Sequence, residues 1–159
     1  MTDMTVAKQG FTYAAFESAA MTRLIEDTAG AWLRSFGVNA PQASQRMINA
    51  LRDALAEDSI AANDRASMQD ILDQAAHDAI AGWLSQITGE HDCFGSNRFS
   101  MLRCAFLSAN RDGIWSEHFL DAKRDHRDLA IALSVQMMLP TPGLVACEMP
   151  RQSLERQAS

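Results

Sequence analysis

The sequence lacks every common motif of catalysis and of nucleotide binding. None of the patterns GxGxxG, GxxxxGKS/T, GxSxG and HExxH occurs in its 159 residues, and no CxxC or CxH pair is present. Such patterns mark dinucleotide sites, phosphate-binding loops, nucleophilic serine sites and zinc sites. Because all of them are missing, the sequence favours a protein that is not an enzyme, and we expect no cofactor.

Cysteine, proline and glycine are scarce. The chain holds three cysteines, four prolines and eight glycines, whereas 47% of its residues are hydrophobic. That composition is typical of a globular domain rather than of a disordered or fibrous chain. The cysteines, Cys93, Cys104 and Cys147, are odd in number and widely spaced. Their pattern argues against a disulfide framework.

Long apolar runs are also absent. No stretch approaches the roughly eighteen consecutive apolar residues that indicate a membrane-spanning helix. The first residues, MTDMTVAKQG, do not show the basic segment followed by an apolar segment that marks a secretory signal. We therefore expect a cytoplasmic protein with no membrane insertion.

Acidic side chains outnumber basic ones by 20 to 14, which gives a net charge of −6. Phosphate backbones repel such a surface unless a local basic patch is present. The densest basic stretch, KRDHRD at 123–128, is interrupted by two aspartates. We therefore expect no nucleic-acid partner.

The sequence does contain apolar residues repeated every three or four positions, which is the period of an amphipathic helix. These repeats predict an all-α, single-domain bundle of about six helices with short loops, spanning residues 1–159. We expect its core to cover about 12–139, with residues 1–10 and 151–159 flexible and the C-terminal tail mobile. The predicted helices cover 12–36, 41–58, about 67–88, 96–110, 114–124 and 125–139.

The segment DLAIALSVQMML, residues 128–139, is ambiguous between strand and helix. Its larger apolar residues alternate as they do in a strand, but alanine, leucine and methionine favour helices. No second convincing strand exists to pair with it, and a lone strand would leave backbone groups without hydrogen bonds. We therefore predict a helix over 129–139, apolar on nearly all sides, central in the bundle and buried.

The stretch GEHDCFG, residues 89–95, contains four consecutive side chains able to bind a metal or move a proton. Adjacent loop residues rarely converge on one ion, so the stretch favours a solvated connection in which Gly89 ends a helix and Cys93 or Phe94 points inward. The catalytic alternative is a Cys93 thiolate assisted by His91 or by the N-terminus of the helix that starts near Ser96.

Three of the histidines are candidate metal ligands. His91, His118 and His126 are the candidates, but no ExxH pair of the kind used in carboxylate-bridged bundles occurs, so we expect no metal site. A further polar group, formed by residues 70, 73, 74 and 77, is interpreted as the solvated face of an amphipathic helix.

Two hypotheses from different classes remain. The first is a non-catalytic α-helical interaction module (an adaptor, regulator or assembly subunit) that acts through apolar helix faces on a protein partner or on itself, as a homo-oligomer. The second is a small helical enzyme or a ligand- or metal-binding domain with an interhelical pocket near His91 and Cys93. In that second case Trp32, Trp83 and Trp115 are the candidates for lining the pocket.

Overall fold

The structure is a computed structural model whose backbone is described for residues 4–57, 65–90 and 93–138, and whose side chains are described for 19–56, 68–90 and 93–138. Five α-helices and no strand occur in these ranges, which confirms the predicted all-α class. The helices are α1 (Met4–Ser35), α2 (Pro41–Glu57), α3 (Arg65–Thr88), α4 (Ser96–Ala109) and α5 (Arg127–Met138).

The first helix is longer than predicted, because it begins at Met4 instead of Thr12. No proline interrupts the sequence between these two residues, so a helix nucleated further along the chain can extend towards the N-terminus. The second helix begins as predicted at Pro41, whose fixed φ and missing N–H suit the first helical position.

The prediction of a fifth helix over 114–124 is wrong. Only Ser116–His118 forms a single 3-10 turn, and Leu120 adopts a φ of 57°, in the left-handed region. A bulky residue rarely adopts that conformation, and it cannot be part of an α-helix. The connection from α4 to α5 is therefore an irregular segment, residues 110–126, which we call the docking segment.

Two side chains, Arg46 from another element and Asn110 from the segment itself, satisfy the backbone of the docking segment. Arg46 of α2 donates hydrogen bonds to the carbonyl oxygens of Glu117, at 2.9 Å, and Phe119, at 3.0 Å. The side-chain oxygen of Asn110 accepts the Trp115 N–H at 2.8 Å. These polar contacts replace intrahelical hydrogen bonds, which explains why an irregular conformation is stable here.

The last helix was predicted correctly as a helix but incorrectly as buried on all sides. Leu129 and Leu133 are fully buried against the bundle. Ile131 follows Leu129 by two positions, and Val135 follows Leu133 by two. Both therefore lie on the opposite side of the helix, where they are exposed. Alternating large residues thus give α5 two apolar faces, of which only one is covered by the described part of the chain.

The end of α1 is closed by a Schellman motif. Gly37 has a φ of 64°, its N–H bonds to the Arg34 carbonyl at 3.0 Å, and the Val38 N–H bonds to the Leu33 carbonyl at 2.9 Å. Leu33 and Val38 are both buried, which supplies the hydrophobic contact that usually accompanies this motif. Gly37 therefore ends α1 directly after the predicted helical range 12–36.

Alanine substitutions at Gly37 and Gly82 are expected to change stability in opposite directions. At Gly37 an added Cβ would be forced into the left-handed region and would meet Leu107 Cδ2 at 3.2 Å, so we expect a loss of about 1–2 kcal/mol. At Gly82, inside α3, a Cβ meets nothing within 4 Å, so we expect a gain of roughly 0.5–1 kcal/mol. Urea unfolding of both variants measures the difference, and equal effects would contradict it.

The core is aromatic at its centre. α2 packs on α1 and α3, α4 packs on α5, and α3 also contacts α5. Where these helices meet the docking segment, the rings of Phe36, Phe106 and Phe119 contact one another, with centroids 5.3–6.0 Å apart. No helix of the described residues combines the length and the hydropathy that a membrane span requires.

Candidate functional site

The GEHDCFG loop connects α3 to α4 and is held by an ion pair. Glu90 accepts hydrogen bonds from two nitrogens of Arg98 on α4, with Nε 2.6 Å from Oε2. These hydrogen bonds raise the pKa of the Arg98 guanidinium above its ordinary value. His91 and Asp92 lie outside the described residues, so the geometry of the predicted His91–Cys93 pair stays untested.

Cys93 is buried in the core. Its sulfur lies 3.7 Å from the Thr88 hydroxyl oxygen and 3.7 Å from the Glu90 carbonyl oxygen, and the residue has no exposed surface. A thiol without access to solvent cannot reach a substrate in this conformation. The inward orientation anticipated for Cys93 or Phe94 is thus that of Cys93, whereas Phe94 is exposed.

The three tryptophans do not surround one space but lie along one path of ring contacts. Trp83 is buried at the centre, whereas Trp32 and Trp115 are partly exposed at the two ends. Each ring on the path has its centroid within 6.2 Å of the next. In order, the path contains Trp32, Phe99, Phe36, Phe119, Trp83, His126, His118 and Trp115.

The polar group on α3 is only partly solvated, in contrast to the prediction. Asp70 and Gln74 are exposed, but Asp73 accepts a hydrogen bond from Trp32 Nε1 at 3.0 Å. His77 is half-buried, with its ring centroid 4.3 Å from that of Phe99. Trp32 of α1 and Phe99 of α4 cover this part of α3, so Asp73 and His77 are contact residues between helices.

His118 and His126, two of the predicted metal candidates, lie side by side in the docking segment. Their ring centroids are 5.8 Å apart, and the His126 ring stands perpendicular to Trp83 at the same centroid distance. The Nδ1 atoms of both histidines and Nε1 of Trp83 are buried without a hydrogen-bond partner. Three unpartnered nitrogens therefore belong to three neighbouring rings.

Burial lowers the pKa of His118, and the nearby Arg124 and His126 lower it further, against smaller opposite effects of Asp121 and Glu117. The neutral imidazole, which has a free lone pair on one ring nitrogen, is therefore favoured at neutral pH.

Arg46 links this site to α2. In addition to the two carbonyl oxygens of the docking segment, it binds Asp121 Oδ2 at 3.1 Å. Burial by itself would raise the pKa of Asp121, but the Lys123 backbone N–H and the Arg46 charge outweigh it, so the pKa is lowered. The carboxylate stays ionised and keeps Arg46 in position.

No group of three or more histidine, cysteine or acidic side chains arranged to hold a metal ion occurs among the residues that the structure describes. His118 and His126 are a pair, and the side chain of Asp121 beside them is bound to Arg46.

Three of the six large hydrophobic residues that are exposed among the described side chains lie on one side of α5. Ile131, Val135 and Met138 follow one another at the spacing of a single helix face and are 63%, 50% and 85% exposed. Ser134 lies between them, and we call these four residues the α5 outer face. Sequence analysis missed it, although the i, i+4, i+7 spacing, separate from that of Leu129 and Leu133, could have indicated a second stripe.

The described residues form an all-α protein. Its helices pack around an aromatic centre, and side chains hold the irregular docking segment in place. In comparisons with protein-family models, with curated proteins and with solved structures, the chain gives no significant match.

Proposed function

We propose that the protein is a non-catalytic helical interaction module that associates with a second copy of itself through the α5 outer face. The observation that carries the proposal is the row of three large, exposed apolar side chains on that face. Exposed apolar patches of this kind commonly mark protein contacts. The burial of Cys93, the nucleophile candidate, further supports a role without catalysis.

Charge favours a second copy as the occupant. The chain carries a net charge of −6, so two copies repel each other wherever carboxylates would meet. Residues 129–138 contain no charged side chain, so two α5 helices can approach without opposing like charges. A strongly charged partner would find no group of opposite sign here to pair with.

The polar member of the face is compatible with burial. Ser134 donates its hydroxyl hydrogen to the Ala130 carbonyl at 2.9 Å, so covering it would leave no donor without a partner. In an antiparallel pair of helices centred between Ser134 and Val135, Ile131 of one copy would lie opposite Met138 of the other. The small serine at the centre would allow the two helices to approach closely.

The size of the surface predicts a weak association. Stable interfaces bury about 800 Å² on each partner, and three partly exposed side chains supply only a fraction of that area. We therefore expect a reversible dimer whose population rises with concentration in the micromolar to submillimolar range.

The substitution Ile131→Asp is expected to abolish the dimer, because it would bury an unpaired carboxylate within the contact, opposite the apolar Met138 side chain of the other copy. Sedimentation equilibrium at increasing concentration should show dimer formation for the natural chain and a monomer for the variant. Ile114→Asp is the matched control, since Ile114 is 62% exposed but lies outside α5, and it should leave the association unchanged.

Two outcomes would overturn this proposal. One is a natural chain that stays monomeric at every concentration, which would also be the result if the face served a different protein. The other is a dimer that survives Ile131→Asp but is lost in Ile114→Asp, which would locate the contact elsewhere. Circular dichroism of both variants should show that they remain folded.

A cytoplasmic location is part of the proposal and is supported by cysteine chemistry. The two cysteines within the described ranges, Cys93 and Cys104, are both free. Free thiols, one of them exposed, are typical of proteins that work in a reducing compartment.

A further inference from the structure

Trp83, His118 and His126 each have a buried ring nitrogen without a hydrogen-bond partner, and self-association through the α5 outer face does not explain them. A buried polar atom without a hydrogen bond destabilises a folded protein, and most native structures contain few of them. Here His118 Nδ1, His126 Nδ1 and Trp83 Nε1 belong to three rings in a row, in which the His126 ring contacts both of the others. A shared occupant would satisfy them together.

The hydrogen bonding of His126 assigns its ring nitrogens. Nε2 lies within hydrogen-bond distance of the Asp121 backbone carbonyl oxygen, which can only accept, so Nε2 carries the hydrogen. In the neutral ring, Nδ1 then has a free lone pair. A lone pair on one nitrogen with a backbone carbonyl bonded to the other is the usual arrangement of a histidine that binds a metal.

We propose that His118 and His126 bind a transition-metal ion of the zinc class through their Nδ1 atoms. Imidazole nitrogens are preferred ligands of zinc, copper, nickel and iron, whereas magnesium and calcium prefer oxygen. The proposal is independent of self-association, because both ligands belong to the docking segment of one chain.

The separation of the two rings is compatible with a shared ion. With zinc–nitrogen bonds of about 2.0–2.1 Å, the ring centroids of two histidines on one ion lie roughly 5–6.5 Å apart. The observed separation is 5.8 Å, with the ring planes inclined by 56°. The rings can therefore reach one ion with small side-chain rotations.

The surroundings hold both ligands in place while leaving access from solvent. Arg46 binds the backbone on either side of His118, and the Asp121 carbonyl oxygen orients His126. Both histidines are only partly buried as residues, although their Nδ1 atoms are not exposed. Because each residue is partly exposed, the small rotations that would turn both Nδ1 atoms towards one ion would also open the site to it.

Two protein ligands leave coordination positions for water or an external anion. Trp83 Nε1–H is a donor only, so it cannot bind the ion, but it can donate a hydrogen bond to an oxygen that completes the coordination. With two ligands instead of the usual three or four, we expect an affinity weaker than that of structural zinc sites, with a dissociation constant in roughly the micromolar range.

Calorimetric titration of the chelator-treated full-length protein with Zn²⁺ tests the proposal. One ion per chain is expected. His118→Gln and His126→Gln should each weaken binding by at least about tenfold. Glutamine at 126 keeps an amide that can donate to the Asp121 carbonyl while removing Nδ1. His77→Gln is the matched control and should bind as the natural chain does, because His77 lies on α3 and contacts Phe99 of α4, outside the docking segment.

Absence of Zn²⁺ binding, or unchanged affinity in both glutamine variants, would overturn the proposal. If a variant fails to fold, histidine ¹⁵N spectra of the natural chain decide the question. The Nδ1 resonances of His118 and His126 should shift together on addition of Zn²⁺. A shift confined to His77 or His91, the other two histidines of the chain, would locate the ion elsewhere and refute the assignment.

Discussion

Replacing Phe119 with alanine is expected to lower the free energy of unfolding by about 4 kcal/mol. The ring is fully buried and contacts three others, those of Phe36, Trp83 and Phe106, at centroid distances of 5.1–5.6 Å. The substitution would remove this ring and leave a cavity among rigid neighbours that cannot collapse to fill it.

Phe94→Ala is the matched control for Phe119→Ala, because Phe94 is 49% exposed and its loss should cost less than about 1 kcal/mol. Urea unfolding measures both changes, and tryptophan fluorescence reports the environment of Trp83. A loss below about 1 kcal/mol for Phe119→Ala would show that the docking segment is not anchored by this ring.

Arg46→Met is expected to cost roughly 2–4 kcal/mol, the second largest effect. Methionine keeps the aliphatic part of the side chain but removes the guanidinium, leaving two carbonyl oxygens and the Asp121 carboxylate without this partner. The Arg46 and Asp121 side chains are only 25% and 19% exposed, so water compensates in part.

A double-mutant cycle with Asp121→Asn separates the ion pair from the carbonyl contacts of Arg46. Because Arg46 also binds the backbone, we expect Arg46→Met to remain destabilising in the Asp121→Asn background. Arg52→Met, at an exposed position of the same helix, should change stability by less than about 0.5 kcal/mol. Equal effects of the two arginine substitutions would contradict a special role of Arg46.

Helix type and helix ends were predictable because they depend on local chemistry. Gly37 and Gly89 end their helices with positive φ angles of 64° and 68°, which glycine adopts without strain. Pro41 begins a helix for an equally local reason. For the same reason, the preference of alanine, leucine and methionine outweighed the alternating pattern of α5.

The docking segment could not be predicted because residues far away in the sequence determine it. Its composition permits a helix, but contacts with distant residues, among them those of Arg46 on α2, stabilise the irregular backbone instead. The proximity of His118 and His126 follows from that irregularity. On a continuous helix, eight residues would separate them by about 12 Å along the axis.

The two faces of α5 show a different limit of sequence analysis. Periodicity identifies which residues share a face, but it does not show whether another element covers that face. Leu133 and Val135 are both large and aliphatic, yet only the first is buried by the described chain. The proposed contact surface was therefore visible only once the packing of α4 on α5 was known.

The long sequence separation between the docking segment and its anchors has a consequence for synthesis on the ribosome. Arg46 and Phe119 are 73 residues apart, as are Gly37 and Asn110, whose side chain bonds to the Gly37 carbonyl. At roughly 5–20 residues per second, the anchors emerge about 4–15 s before their partners. During that interval the nascent α1, α2 and α3 lack the rings that later cover Phe36 and Trp83, so this is when the growing chain most needs protection from aggregation.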